Sequence, residues 1–233
     1  MQAPNQFNCM ETLKEKAYAK INLSLNIINK RKDGYHNINS YVIFVKQSDT
    51  ISIKQLKTKN KKIYVNVIGP FSKDLNNNKD INLCEKIAIY FLEKMHINDD
   101  LQITLNKKLP ISSGIGGGSS DAAATLRILI KLYKINKNAF INKYSSEISQ
   151  IIGADVIACF NSKTLLMEGI GEKIYKIPCR TRKIINSYKW LVLVTPNVHI
   201  STKNIFTIYK KRKEPNFNCH KGIHLDNIFR NDL

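Results

Sequence analysis

A glycine-rich turn that leads directly into a helix constrains this chain more than any other feature. The segment from Leu109 to Ala124 reads Leu-Pro-Ile-Ser-Ser-Gly-Ile-Gly-Gly-Gly-Ser-Ser-Asp-Ala-Ala-Ala. Glycine tolerates positive φ and has no side chain, so the backbone N–H groups of such a turn can reach an anion. The positive end of the following helix favours negative charge at the same place. The segment therefore predicts a nucleotide phosphate site and favours phosphoryl transfer.

The turn differs from the two best-known phosphate motifs. No Lys-Ser/Thr pair follows the last glycine, as a Walker loop requires, and Ser119 stands where a dinucleotide fingerprint has its third glycine. A flexible linker is the alternative interpretation, but linkers do not normally join a strand (101–105) to a helix rich in Ala and Leu (122–133). Four glycines allow positive φ, namely Gly114, Gly116, Gly117 and Gly118. We expect the polar residues after them, Ser119, Ser120 and Asp121, to supply a helix cap.

Length and cysteine content bound the class of protein. The 233 residues suffice for one large domain or two small ones. No apolar stretch reaches the roughly 18 residues that span a bilayer, and residues 1–16 are polar and contain acids, so we expect neither a membrane contact nor a targeting peptide. Five widely spaced cysteines without a C-x-x-C motif indicate free thiols in a reducing compartment. These features predict a cytoplasmic protein.

The chain is strongly basic. It carries 37 Lys and Arg against 18 Asp and Glu, a formal net charge of +19. The lysines are spread along the chain, and their clusters at 59–62, 107–108 and 210–213 are short, so we interpret them as solvated surface rather than as a nucleic-acid footprint. A basic surface also attracts a polyanionic nucleotide.

The remainder of the chain mixes strand and helix periodicities. Residues 17–27 alternate between apolar and polar side chains, which predicts a strand whose polar face carries Lys20 and Asn22. After a turn at 32–35, we expect further strands at 41–45, 50–53, 63–68, 101–105, 164–167 and 190–194. Helical spacing predicts helices at 81–96, 122–133, 140–152 and 201–211. The pattern favours an α+β fold with an N-terminal extension (1–16), a first domain (17–160) and a smaller second domain (161–233).

Four separated segments match one family in order and spacing. They are Ala19-Lys-Ile-Asn-Leu23, Asp33-Gly-Tyr-His36, the turn at 110–120 and Gly153-Ala-Asp-Val156. Through them the chain resembles the GHMP kinases, and the first two segments narrow the resemblance to the branch that acts on 4-diphosphocytidyl-2-C-methyl-D-erythritol. The resemblance covers nearly all of the chain from residue 17. It implies a two-domain GHMP kinase fold whose N-terminal domain is like a domain of a ribosomal protein.

The resemblance also implies an activity. It implies phosphorylation of the 2-hydroxyl of 4-diphosphocytidyl-2-C-methyl-D-erythritol by ATP with magnesium, in the non-mevalonate route to isoprenoids. Asp155 matches the catalytic aspartate of the family and Lys20 its catalytic lysine. A positioned carboxylate suits this chemistry because an alcohol of high pKa must lose its proton as the bond to phosphorus forms. The implied ATP-binding residues are Pro110, Ile111, Ser112, Ser113, Gly114, Ile115, Gly116, Gly117, Gly118, Ser119 and Ser120.

Further residues are assigned to the substrate and to magnesium by the same resemblance. Asn22 is expected to orient the hydroxyl, and Tyr35 and His36 to hold the cytidine by stacking and an imidazole hydrogen bond. Thr202 fits a hydroxyl on the substrate side, although a plain helix cap is an equal alternative. Ser120 is the nearest candidate for a protein contact to magnesium. Taken alone, these residues would also fit an exposed strand face and a hairpin tip.

Two departures from the family pattern stand out. Position 157 is Ile where the family usually has Pro. The family also continues past the segment Asn231-Asp-Leu233, so we expect an incomplete second domain. Two alternatives stay open: another GHMP kinase for a small alcohol, and a truncated, non-catalytic, basic RNA-binding relative.

Overall fold

A single mixed sheet organises the part of the protein that the computed structural model describes, which is residues 12–76, 81–188, 190–194, 205–207, 209 and 230–232. In chain order, the elements within these ranges are β1 (Leu13–Asn22), β2 (Asn26–Lys30), β3 (His36–Gln55), β4 (Ile63–Ile68), α1 (Ser72–Asn76), α2 (Leu83–Lys94), β5 (Leu101–Asn106), α3 (Gly117–Leu132), α4 (Lys137–Ile151), α5 (Val156–Asn161), β6 (Leu165–Gly169), β7 (Lys173–Tyr175) and α6 (Cys179–Ser187). The mixture confirms the expected α+β class.

The long strand β3 is the centre of this sheet. The strand order is β4-β5-β3-β6-β7, and β1 and β2 also pair with β3. β1, β2, β5 and β6 all run antiparallel to β3, whereas β4 and β5 are parallel to each other. The strands predicted at 41–45 and 50–53 are therefore one continuous strand of 20 residues. The pairing of β3 with β1 places Lys20 opposite Phe44.

The prediction of one strand at 17–27 is wrong at both ends, and this part of the chain forms two strands rather than one. β1 begins at Leu13, so four residues of the expected N-terminal extension belong to the sheet. The strand then stops at Asn22 and resumes as β2. Ser24 explains the interruption, because its hydroxyl accepts the N–H of Tyr41 at 3.1 Å in place of a ladder carbonyl.

The chain after residue 187 differs most from the sequence expectation. Residues 190–194 form no strand, and the side chain of Trp190 is 93% exposed. Apolar alternation predicts a strand only where a neighbouring strand is available, and none of the described residues pairs with this segment. Residues 205–207 are helical, and most of the helix predicted at 201–211 lies outside the described residues. The domain boundary near residue 160 stays a prediction.

A short segment near the end of the chain packs against the start of β2. Asn231 forms a parallel bridge with Leu25. Asp232 accepts the N–H of Ile27 at 2.8 Å and donates its own N–H to the carbonyl of Leu25 at 2.9 Å. The segment therefore extends the sheet beside the β2–β3 hairpin.

The main core lies between the sheet and helices α2–α5. Ile51, Ile103, Phe91, Leu126 and Leu129 are fully buried there, and burial stabilises each such side chain by about 1.5–3 kcal/mol. This packing fixes the N-terminus of α3 next to β1. No helix among the described ranges is both long and apolar enough to cross a membrane.

Candidate active site

The glycine-rich turn has left-handed backbone at two of its four glycines. φ is +72° at Gly114 and +65° at Gly116, whereas Gly117 and Gly118 already belong to α3 and have no positive φ. Of the four glycines that allow positive φ, two adopt it. Gly117 and Gly118 have little room for a side chain. An added Cβ would lie 3.1 Å from Lys107 Nζ at Gly117 and 3.1 Å from Leu83 Cδ1 at Gly118.

The N-terminus of α3 is left open by its sequence. The N-cap is Gly116, which makes no side-chain cap, and the first turn contains no acidic side chain. The expected caps from Ser119, Ser120 and Asp121 are thus not formed. Because the first N–H groups of a helix have no acceptor within it, the amides of Gly117, Gly118 and Ser119 are available to an anion.

Ser120 points away from this opening. Its side chain is 2% exposed, and its hydroxyl donates to the carbonyl of Tyr18 at 2.7 Å. This geometry does not fit the expected contact between Ser120 and magnesium, because the hydroxyl lies inside the protein. Ser119 is better placed, since its Oγ lies 3.6 Å from where a Cβ on Gly153 would stand, beside the segment that carries Asp155.

Lys20 and Asp155 form an ion pair at the mouth of the turn. Lys20 Nζ lies 3.1 Å from Asp155 Oδ2 and donates to Asn22 Oδ1 at 2.6 Å. Lys20 is 2% exposed, whereas the side chain of Asp155 is 32% exposed. Asp155 occupies the N-cap position of α5 but makes no side-chain cap. Its carboxylate is therefore available to solvent and to the lysine.

The turn itself holds Lys20 in place. The N–H of Lys20 donates to the carbonyl of Ile115 at 2.9 Å. A Cβ added to Gly116 would lie 3.2 Å from both Cβ and Cε of Lys20. Since the aliphatic stem of the lysine packs directly on Gly116, the position of the ammonium group depends on the turn.

The β6–β7 turn supports Asp155 from the other side. Gly171 has φ of +125°, and a Cβ there would lie 2.8 Å from the carbonyl of Ala154. Only glycine allows both the backbone conformation and this close approach. Glu172 stabilises the turn by accepting the N–H of Ile170 at 2.7 Å.

A buried cluster of three charges lies beneath the turn, and the sequence pattern did not predict it. Lys107 is 2% exposed, and its Nζ lies 2.5 Å from Asp49 Oδ2 and 2.7 Å from Asp121 Oδ2. Asp49 also accepts the N–H groups of Lys108 and Leu109. The interpretation of residues 107–108 as solvated surface is wrong for Lys107. This buried charge cluster, Asp49–Lys107–Asp121, joins the start of the turn to its end.

The three groups of the cluster bind protons more tightly than they would in water, because the pKa of Asp121 and that of Lys107 are both raised. Burial raises the pKa of Asp121 well above its ordinary value, Lys107 opposes that rise, and Asp49 adds to it. Burial lowers the pKa of Lys107, but the two carboxylates outweigh burial and leave this pKa raised. The ammonium group therefore stays charged, and the neutral form of Asp121 is favoured.

Aromatic side chains surround His36 at the β2–β3 hairpin. Its ring centroid lies 5.4 Å from that of Phe206 and 6.1 Å from that of Tyr209. Burial, then the nearby charge of Lys30, lowers the pKa of His36. Tyr35 is 48% exposed at the tip. The sequence pattern did not predict Phe206, and Thr202 lies outside the described residues.

Comparison with known proteins assigns the family. Residues 82–163 match the family described as the GHMP kinases N terminal domain. The 4-diphosphocytidyl-2-C-methyl-D-erythritol kinase of Parvibaculum lavamentivorans is 37% identical over 192 residues, which are 82% of this chain and 61% of that protein. The chain belongs to the GHMP kinase superfamily. The protein of the same name from Clostridium botulinum strain Loch Maree is 37% identical over 198 residues, 85% of this chain and 65% of its own.

Solved structures agree on the GHMP kinase fold. A crystal structure of 4-(cytidine 5'-diphospho)-2C-methyl-D-erythritol kinase has a TM-score of 0.53 and 27% identity, and the match covers 71% of this chain and 55% of that one. A homoserine kinase from Cytophaga hutchinsonii has a TM-score of 0.61 at 17% identity, covering 91% of this chain and 64% of its own, and shows the fold alone. The chain spans less than two thirds of the length of the relatives it matches.

No described group of three or more His, Cys, Asp or Glu side chains is arranged to hold a metal ion. The residues of the turn nonetheless fit a nucleotide phosphate, because α3 begins with uncapped amides. Ile157, which replaces the usual proline of the GHMP kinase pattern, is 3% exposed within α5. The helix forms without the proline.

The buried charge cluster predicts unequal costs for replacing its carboxylates. Asp49→Asn keeps one side-chain oxygen for the two backbone N–H groups but removes the negative charge that pairs with Lys107, so we expect the free energy of unfolding to fall by about 3–5 kcal/mol. Asp121→Asn should cost much less, because the raised pKa of Asp121 already favours its neutral form. Denaturant unfolding of both variants measures the difference, and equal losses would refute the unequal sharing of charge.

The same cluster gives this difference a pH dependence. The folded pKa of Asp121 lies above its ordinary value of 3.8, so the folded state binds an additional proton above that pH. This contribution to stability is present at low pH and is lost as the pH rises through the folded pKa. The Asp121→Asn variant has no carboxyl group at this position to titrate. The stability of the unmodified protein should therefore fall relative to that of the variant as the pH rises from about 4.

Proposed function

We propose that this GHMP kinase transfers the γ-phosphoryl group of ATP to the 2-hydroxyl of 4-diphosphocytidyl-2-C-methyl-D-erythritol. The contact between Lys20 and Asp155, beside the uncapped N-terminus of α3, is the observation that carries the proposal. The choice of alcohol rests on the names of the relatives that are 37% identical.

The turn and α3 are proposed to hold the nucleotide. The amides of Gly117, Gly118 and Ser119 would donate to phosphate oxygens, aided by the positive end of the helix dipole. Magnesium is proposed to bind with the phosphates, because this ion prefers one or two protein oxygens together with phosphates and water. The hydroxyl of Ser119 is the nearest candidate for such a protein oxygen.

Asp155 is proposed to accept the proton of the attacking hydroxyl. Lys20 supplies positive charge where negative charge moves during transfer. Asn22 accepts from Lys20 through Oδ1, so its amide N–H groups would be the ones to donate to a substrate oxygen. The partial exposure of Asp155 lets an acceptor alcohol reach it.

The hairpin is proposed to hold the cytidine. Tyr35 and Phe206 offer aromatic faces for a pyrimidine, and His36 lies against Phe206. Because its pKa is lowered, His36 is neutral at pH 7 and can both donate and accept a hydrogen bond at the edge of the base.

The decisive experiment measures phosphorylation directly. The 233-residue chain is incubated with magnesium-ATP and 4-diphosphocytidyl-2-C-methyl-D-erythritol, and the product is analysed by phosphorus NMR for a new ester at the 2-hydroxyl. Mevalonate serves as the control alcohol, and Asp155→Asn controls for contaminating kinases. Transfer to the cytidyl compound alone supports the proposal. Transfer to mevalonate, or equal product from Asp155→Asn, would refute it.

An RNA-binding role gives a different result in a binding assay. Thermal stabilisation by magnesium-ATP and by CDP should change little between low and moderate salt, whereas stabilisation by RNA should decrease steeply, because counterion release dominates polyelectrolyte binding. Stabilisation by RNA alone would favour the non-catalytic alternative.

His36→Ala should weaken binding of the cytidyl substrate more than binding of ATP. The side chain contacts aromatic residues of the hairpin region, away from the glycine-rich turn. Loss of one base-reading hydrogen bond should cost roughly 1–3 kcal/mol, or about 5- to 150-fold in affinity. Calorimetry with CDP and with ATP measures both affinities. A matched control is His96→Ala, on the α2–β5 connection, and equal losses for both ligands would place His36 in a general structural role.

A further inference from the structure

Arg127 lies on α3 but makes its polar contacts with two other elements. Its Nη1 donates to the carbonyl of Cys159 at 3.1 Å and is 3.4 Å from that of Phe160, both at the end of α5. Its Nη2 donates to the carbonyl of Lys16 in β1 at 2.7 Å. The side chain is 17% exposed, and its Nε lies 3.5 Å from Glu15 Oε2. One guanidinium group therefore joins α5 to β1.

Those two elements carry the ion pair of the candidate active site. β1 contains Lys20, four residues after Lys16, and α5 follows directly after Asp155. α5 has only six residues, and a helix this short cannot hold its own direction without tertiary contacts. The separation of Lys20 and Asp155 therefore depends on whatever fastens α5 to β1.

Ser120 makes a second link between the same elements. Its hydroxyl donates to the carbonyl of Tyr18 in β1 and lies 3.2 Å from Cys159 Sγ in α5. Seven residues separate Ser120 from Arg127, so both side chains lie on one face of α3, about 10 Å apart along its axis. The two links thus hold α5 against β1 at two separate points.

We propose that Arg127, assisted by Ser120, is a positioning residue that sets the distance between Lys20 and Asp155. This inference rests on the proposed function, because the distance matters for turnover only if Asp155 takes the proton. Burial lowers the pKa of Arg127, and the neighbouring Glu15 opposes that effect. An arginine remains charged in such a site, so the links persist across the pH range of an assay.

The kinetic test uses Arg127→Met, which keeps the aliphatic stem and removes every donor. We expect kcat to fall by at least about tenfold while the affinity for ATP changes less than about twofold, since misplacement by an ångström can cost 10²-fold in rate. Lys131→Met on the exposed side of α3 controls for loss of charge. Leu92→Ala, on the buried face of α2, controls for general destabilisation. Both controls should retain kcat at a temperature where they are folded.

A double-mutant cycle separates positioning from a general structural role. If Arg127 acts through Asp155, Arg127→Met should reduce the residual rate of Asp155→Asn by less than about twofold. A reduction as large as that seen with Asp155 intact would overturn the inference. Should Arg127→Met fail to fold, Arg127→Lys and Ser120→Ala replace it. Each of these variants should lower kcat without weakening the binding of ATP.

A crystal structure of the Arg127→Met variant decides the geometry without any assay of activity. We expect Lys20 Nζ and Asp155 Oδ2, 3.1 Å apart in the unmodified protein, to separate beyond 4 Å. An unchanged distance would overturn the positioning role even if the kinase assay succeeds. An increased distance in a protein with no kinase activity would refute the proposed function and leave the positioning role intact.

Discussion

Replacing Asp155 by Asn is expected to lower kcat by about 10² to 10⁴, the usual contribution of a general base. The amide has the shape of the carboxylate but cannot accept the proton of the alcohol. Binding of ATP should remain nearly unchanged, because the proposed phosphate site consists of backbone amides of α3 and does not include this side chain. Lys20 keeps its hydrogen bond to Asn22, at 2.6 Å, so the variant should fold.

Rapid-quench kinetics at saturating ATP and substrate provide the measurement, since they report the chemical step. Glu93→Gln, an exposed carboxylate on α2, is the matched control and should behave like the unmodified protein. If Asp155→Asn kept more than about a tenth of the single-turnover rate, another group would have to be the base. A loss of ATP affinity equal to the loss of rate would instead indicate a damaged turn.

Motif spacing in the sequence indicated the turn, Lys20 and Asp155, but not the environment of Lys20. Strict alternation predicts a polar, solvated face for this lysine, yet it is 2% exposed. The register of β1 against β3 shifts between Tyr18 and Lys20, and such a bulge re-aims the side chains that follow it. No particular residue type marks this bulge, so the alternation of apolar and polar residues could not reveal it.

The buried charge cluster was detectable in part from the same kind of pattern. Leu101, Ile103 and Leu105 form the buried face of β5, and Lys107 continues that period of two. Asp49 continues the buried face of Ile51 and Ile53 in β3 in the same way. Charged residues are so rarely buried that alternation alone does not outweigh the expectation of exposure. Their pairing across 58 residues depends on the tertiary fold, which no local window contains.

The direction of the Ser120 side chain could not be predicted from the local sequence, for a different reason. Two left-handed residues, Gly114 and Gly116, rotate the chain before α3 begins, and the hydroxyl then reaches the carbonyl of Tyr18. A glycine-rich sequence permits positive φ at each glycine without saying which of them uses it. The glycine-rich turn and the helix after it were therefore predictable from the sequence, while the direction of each side chain beside the turn was not.

Gly116→Val is expected to weaken ATP binding and to abolish most turnover. A β-branched residue at φ of +65° is strained by about 1–3 kcal/mol. Its Cβ would also stand 3.2 Å from Cβ and Cε of Lys20, so we expect the lysine to shift relative to Asp155. Gly114→Val introduces the strain without the close contact, because Gly114 has a similar φ of +72° but no atom within 4 Å of an added Cβ.

Both glycine variants should therefore lose a similar part of their ATP affinity through strain, and calorimetry measures this loss. Only Gly116→Val should also lose about 10-fold or more in kcat, which is roughly the cost of displacing a catalytic group. Circular dichroism establishes that each variant is folded. Equal values of kcat for the two would show that Lys20 tolerates displacement by the turn. That result would separate the phosphate site from the Lys20–Asp155 pair, and the coupling between them through Gly116 would have no catalytic consequence.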